Sequence, residues 1–136
     1  MEKVWLAFAN TKKFNAIKCF HELGHSFWKM GTRKFSIGDI IYFYVSSEGR
    51  VVFKTRVDAI NLNQSEWDDD PYWSEKERQP STGKKRMKLS LIGEYQGDEL
   101  NDIKLRYYGF PKKKSPLQQP VYKSYVECID YIRSVF

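Results

Sequence analysis

The chain has 136 residues, 41% of them hydrophobic and 29% charged, which is one domain's worth of sequence and excludes wholesale disorder. No apolar run is long enough to cross a bilayer, and the two cysteines, Cys19 and Cys128, cannot build a disulfide framework. The net charge of +6 divides unevenly: residues 1–64 carry +5, residues 65–83 carry −4 and residues 84–136 carry +5. Two basic blocks thus flank an acidic stretch, a balance suited to phosphate backbones. With no secretory pattern at Met1–Trp5, the expected location is cytoplasmic.

Val4–Asn10 is apolar and β-prone and reads as a strand, with Val4, Leu6 and Phe8 on one face and Trp5, Ala7 and Ala9 on the other. Lys13–Leu23 reads as a helix, because Phe14, Ile17 and Phe20 recur at helical spacing and Gly24 supplies a stop. Gly38-Asp39 is a turn into the strand Ile40–Ser46, and Ser46–Gly49 is a hairpin turn. The strand Val51–Ile60 alternates Val51, Phe53, Thr55 and Val57 with Val52, Lys54, Arg56 and Asp58. Residues 61–83 form a long acidic loop that still holds Trp67, Tyr72 and Trp73. A strand at Met87–Leu91 follows. Next comes a helix over Glu99–Tyr108, capped by Asp98 and stopped by Gly109-Phe110-Pro111. A basic loop at Lys112–Lys114 leads to a capping box, Ser124 and Glu127. That box opens a last helix with Tyr125, Val126, Ile129, Ile132 and Phe136 inward. No repeat or linker divides residues 1–136, so one α+β domain is expected, a small, partly closed antiparallel barrel flanked by helices.

His21-Glu22-Leu23-Gly24-His25 fits H-E-x-x-H, in which two histidines one helical turn apart hold zinc and the glutamate is the base. A third ligand is missing, since the chain has no further histidine, and Gly24 weakens the helix. Cys19 and Cys128 fall on apolar helical faces and read as packing. The run Asp68–Asp70 reads as solvated loop. Neither a phosphate-binding glycine loop nor a nucleophile elbow occurs, so no catalytic residue and no cofactor or metal site is assigned.

The aromatics carry more. Trp28 and Trp73 lie outside any pattern that demands them as core, on segments read as loops, and such rings can stack on a flat base. Asn10, Ser46 and Ser47 at strand ends can read a base edge. Lys12, Lys13, Lys29, Arg33, Lys34, Lys84, Lys85 and Arg86 can rim the mouth and hold phosphates. Trp5 reads as core.

Trp28, separated by nine residues from Gly38-Asp39-Ile40-Ile41-Tyr42-Phe43-Tyr44-Val45-Ser46, followed by the alternating strand Val51–Ile60, resembles the EVE domain of the PUA-like superfamily. The loop ending Tyr72-Trp73, the strand RMKLSLIGEY and the closing helix are similar to the form found at the N-terminus of modification-dependent restriction endonucleases. The same order is similar to YTH domains, readers of 6-methyladenine. The resemblance spans the whole chain and implies a non-enzymatic module that flips a modified, methylated base from DNA into an aromatic cage. It further implies a place in a bacterial defence (restriction) system, with a nuclease or NTPase as fused or separate partner. Carried over, Trp28 and Trp73 would sandwich the base, with Tyr72 beside them. Asn10 and Ser46 or Ser47 would bond its edge, and Tyr44 would line the floor. An RNA-binding reader of the same superfamily is the alternative, and a zinc metalloprotease using the histidine motif the alternative from another class.

Overall fold

The computed structural model describes residues 3–30, 33–75, 85–110, 119–120 and 125–136. Its elements are β1 (Val4–Ala9), α1 (Ala16–Leu23), β2 (His25–Lys29), β3 (Ile40–Val45), β4 (Arg50–Leu62), β5 (Arg86–Glu94), α2 (Asp102–Tyr107), β6 (Gln119–Pro120) and α3 (Val126–Val135). Two 3-10 turns, Gln64–Glu66 and Asp70–Tyr72, punctuate the acidic loop. The strands form one sheet in the order β2-β5-β4-β3-β1-β6. Five long strands curl into a half-barrel and the two-residue β6 closes one edge, so the α+β half-barrel expected from the sequence is present. β1 and β3 run parallel, and every other pair is antiparallel.

The sheet is buried on both faces. Trp5, Ala7 and Ala9 of β1 join Ile41, Phe43 and Val45 of β3 in one cluster, completed by Phe20, Trp28, Met87, Leu89 and Trp73. Val4 and Leu6 join Ile40, Tyr42 and Tyr44 in a second cluster under Leu105, Phe110, Ile129 and Ile132. Period two therefore sorts β1 as its sequence indicates, and all six residues of β3 are buried. On β4 the period breaks. Phe43 pairs with Phe53 but Tyr44 pairs with Val51, which leaves Val52 as the extra residue of a bulge. Val51 is thereby turned to the second cluster while Val52 and Phe53 both enter the first.

Other boundaries shift for identifiable reasons. α1 starts at Ala16 because Phe14 bridges to Trp73 and the Asn15 N–H donates to the Tyr72 carbonyl at 2.8 Å; the Asn15 side chain then caps Lys18 N–H. α2 starts at Asp102 because Val51 N–H donates to the Leu100 carbonyl and Arg50 bridges to Asn101, holding Asn101 extended. Asn101, not Asp98, caps it, accepting from Lys104 N–H at 2.9 Å. On α3 the buried residues are Cys128, Ile129 and Ile132, whereas Val126 is exposed. Ser124 of the expected capping box, the Lys112–Lys114 loop and Lys84 lie outside the described residues.

Asp39 locks the entry to β3. Its Oδ1 accepts from Lys3 N–H at 2.9 Å, and its Oδ2 from the Trp5 indole at 2.9 Å and Ser36 N–H at 3.0 Å. Gly38 precedes it at φ 94°, a conformation only glycine adopts cheaply. The Gly-Asp pair is thus a structural clasp, and Trp5 is core as expected.

Candidate nucleic-acid interface

Trp28 lies in β2, an edge strand, where its sequence indicates a loop. It pairs opposite Met87 of β5, and its side chain is buried in the first cluster. Trp73 reaches the same place from the acidic loop. The segment around it is laced to residues 13–15 by Ser74 N–H on the Lys13 carbonyl, Asn15 N–H on the Tyr72 carbonyl, and the Phe14–Trp73 bridge. The two rings, 45 positions apart in the chain, meet with centroids 5.3 Å apart at 52°. Trp28 thus stands on a strand and not on the expected loop, while Trp73 stays on its loop; both are buried, Trp28 at 8% and Trp73 at 6% exposure.

Phe14 packs beside both, at the third corner of a triangle of rings. Its ring stacks on Trp73 at 4.2 Å and 22° and meets Trp28 edge-on at 5.7 Å. Three stacked rings separate the outer two by about 7 Å, twice the ~3.4 Å rise of stacked bases. At 5.3 Å the tryptophan pair is therefore in a closed arrangement, too close to hold a third ring between them. Phe14 was legible only as helix-face core.

Asp69 holds the cluster together. It is fully buried, unlike the solvated loop residue expected. Its Oδ2 accepts from Phe27 N–H at 2.7 Å and from the Trp73 indole N–H at 2.8 Å. Burial pushes its carboxyl above the ordinary value; the two N–H donors and the positive charge of Arg86 oppose that shift. Arg86, expected at the mouth, is likewise interior at 1% exposure. Its guanidinium carbon lies 4.2 Å from the Trp67 ring centroid and 4.9 Å from that of Trp73, and Nη1 donates to the Phe27 carbonyl at 3.3 Å. The pull of two indole faces and of Asp69 offsets its desolvation. No sequence signal separates Asp69 from Asp68 and Asp70; its spacing of four from Trp73 becomes meaningful only once the 3-10 turn Asp70–Tyr72 is formed.

The remaining expected base contacts gather elsewhere. Tyr44 belongs to the second cluster, against Phe8 at 5.2 Å and Phe110 at 5.6 Å, so it lies on the opposite face of the sheet from Trp28 and Trp73. It does not floor a slot between them. Asn10, Lys12, Tyr44 and Ser46, with Phe8 and Ala9, line a separate cleft of about 300 Å³. There Ser46 Oγ accepts from Thr11 N–H at 3.1 Å and Asn10 Oδ1 from Lys12 N–H at 3.0 Å. Ser47 is exposed on the hairpin turn. Tyr72 stays beside Trp73, half-buried, its hydroxyl donating to Glu22 at 3.4 Å; burial and the Glu22 charge raise its pKa.

Of the expected phosphate contacts, Lys12, Lys13, Arg33, Lys34 and Lys85 are exposed and Lys29 is half-buried. Lys85 Nζ donates to Asn63 Oδ1 at 2.6 Å. Lys13 lies one residue from Phe14, Lys29 one from Trp28, and Lys85 precedes Arg86, so these three border the aromatic cluster in sequence.

The histidine motif does not assemble. α1 ends at Leu23, Gly24 turns the chain at φ 72°, and His25 opens β2. His21 pairs with Glu94 at 2.9 Å and His25 with Asp68 at 2.7 Å. The helical turn that would bring both imidazoles to one ion is absent, and no group of three potential ligands occurs among the described residues. Cys19 and Cys128 are buried as expected; burial raises both thiols, that of Cys128 to about 12. No described helix is long and apolar enough to cross a membrane.

No family model and no curated protein matches the sequence. Among solved structures, a crystal structure of a Pseudomonas putida protein from a structural genomics consortium superposes with a TM-score of 0.62 at 16% identity, over 97% of this chain and 98% of that one. The YTH domain of Pho92, solved in complex with m6A, superposes with a TM-score of 0.50 at 14% identity, over 98% of this chain and 86% of that one. At these identities the likeness is one of fold: this chain has the fold of a YTH domain.

Proposed function

We propose that residues 1–136 act as one non-enzymatic reader that takes a modified, methylated base, flipped out of DNA, between Trp28 and Trp73. The observation that carries this reading is the meeting of those two tryptophans across 45 residues, in a fold shared with a domain solved in complex with a methylated adenine. Stacking is worth about 1–3 kcal/mol per base, and base flipping costs a few kcal/mol that backbone contacts must offset. Lys12, Lys13, Lys29 and Lys85 are the cations proposed for those contacts. Entry of a base requires the two indole rings to part. A methyl group adds about 0.8 kcal/mol of apolar burial, which favours the methylated base. In this reading the chain is an EVE-like specificity module of a restriction system whose nuclease or NTPase lies on another segment or subunit.

The test is titration of the protein with matched DNA and RNA oligonucleotides, methylated and unmodified. Methylated DNA is expected to bind most tightly, and Trp28→Phe and Trp73→Phe to weaken it about tenfold. Equal binding of all four ligands by the parent protein sinks the proposal. Tighter binding of the RNA pair transfers the reading to an RNA reader.

A further inference from the structure

The cleft of about 300 Å³ at the carboxyl ends of β1 and β3 is lined by Phe8, Ala9, Asn10, Lys12, Tyr44 and Ser46. That volume suits one nucleoside-sized molecule. Phe8 and Tyr44 place it on the opposite face of the sheet from Trp28 and Trp73, and the half-buried Phe8 ring offers it a flat apolar surface. The polar groups around that surface present donors. Asn10 Oδ1 is held by Lys12 N–H at 3.0 Å, which turns the amide NH₂ toward a ligand. Ser46 Oγ accepts from Thr11 N–H at 3.1 Å, and its own O–H can donate to Thr11 Oγ1 at 3.3 Å or to a ligand. Lys12 is exposed and has no carboxylate partner among the described residues, and no acidic residue lines the cleft. An apolar seat ringed by an ammonium, an amide and a hydroxyl fits a flat ring that carries an anion. One turn joins this cleft to the tryptophan cluster: the Asn10 carbonyl accepts from Phe14 N–H at 3.0 Å, and the Phe14 ring stacks on Trp73.

We propose that this cleft is a second site, for a nucleoside phosphate, with the base against Phe8 and the phosphate on Lys12 Nζ, Asn10 Nδ2 and Ser46 Oγ. The ring and the anion are both needed: Phe8 carries no charge to hold a phosphate, and the donors have no surface on which to stack a base. This ligand chemistry has two sources, a free mononucleotide or the next nucleotide of a strand whose neighbouring base enters the tryptophan cluster. Because one turn carries both sites, adjacent nucleotides of one strand can reach both. The strand source rests on the reader function above; the free nucleotide does not.

The experiment follows the backbone amide and indole N–H signals of the full chain by heteronuclear NMR during titration with deoxyadenosine monophosphate, deoxyadenosine or inorganic phosphate. The monophosphate is expected to shift the Asn10, Lys12 and Ser46 amides to saturation, and deoxyadenosine and phosphate each to bind about tenfold more weakly. Lys12→Ala, at an exposed position, should bring the monophosphate to within about twofold of deoxyadenosine. The ratio is taken within each protein, so a loss of folding cancels, and the wild-type series decides if the variant is unstable. Inorganic phosphate binding as tightly as the monophosphate, or an unchanged ratio in Lys12→Ala, overturns the proposal and leaves Lys12 a surface charge. A trinucleotide with N6-methyladenine at its centre separates the sources. Cleft amides and the Trp28 and Trp73 indoles shifting together with the trinucleotide assign the cleft to a strand, whereas cleft shifts with the monophosphate alone assign it to a free nucleotide. Indole shifts with no cleft shift from any ligand keep the reader function and reject this inference. Cleft shifts with no indole shift from any ligand keep this inference and reject the reader function. Shifts at neither site reject both.

Discussion

Asp39 and Asp69 are buried carboxylates with opposite kinds of bookkeeping. Asp39 has donors on both oxygens, drawn from the start of β1, the Trp5 ring and the turn before β3. Asp39→Ala strands those donors, and a loss of about 3 kcal/mol or more in urea unfolding is expected. Asp69 keeps one oxygen unpaired, and burial raises its pKa above the ordinary 3.8. The folded chain therefore binds a proton more readily than the unfolded chain at this group. Its contribution to stability is largest below the unfolded value and declines as pH rises through the folded value. This opposes the usual acid destabilisation; unfolding curves from pH 3 to pH 7 should show a steeper acid loss in Asp69→Asn than in the parent. The cysteines supply a third check. Burial raises both thiols, so neither should react with an alkylating reagent at pH 8 until denaturant is added, as mass spectrometry would record.

Among elements, the α1–β2 junction decides how the histidine string is used. Gly24 takes φ 72° and its N–H closes the helix on the Phe20 carbonyl, so a side chain there is strained. Gly24→Ala should cost about 1 kcal/mol of stability, read by thermal unfolding. The same junction explains what sequence reasoning found and missed. β1, β3 and β4 were legible because β-branched and aromatic runs sit between turn residues. β2 was not, because Ser26, Phe27 and Trp28 are all buried and show no alternation, and because a helical motif overlaps its first residue. The partners of the site were legible as residue types, Trp28 and Trp73 above all. The Tyr44–Ser46 end of β3 was assigned to the same cage because sequence order cannot tell which face of a doubly buried sheet a side chain joins. Arg86 was assigned to the surface because its type usually lies there, whereas two indole faces hold it inside.

Across the whole molecule, charge and aromatic cluster act on different ranges. If the exposed lysines neutralise phosphates, affinity should fall with salt along a straight line in logarithmic coordinates, and Lys12→Ala with Lys13→Ala should flatten that slope by about two. Preference between methylated and unmodified bases, set by the rings, should stay nearly constant over the same salt range. The chain has four tryptophans, and Trp28, Trp67 and Trp73 all belong to the site through direct contact or through the shared arginine. Trp5 packs in the same core cluster but is tied to Asp39 and not to the arginine. Trp28 and Trp73, 5.3 Å apart and tilted by 52°, are close enough and skewed enough for their excited states to couple. The closed cluster thus carries its own optical signature, a paired indole band in circular dichroism, and insertion of any flat ligand between the rings must erase it without a label being attached.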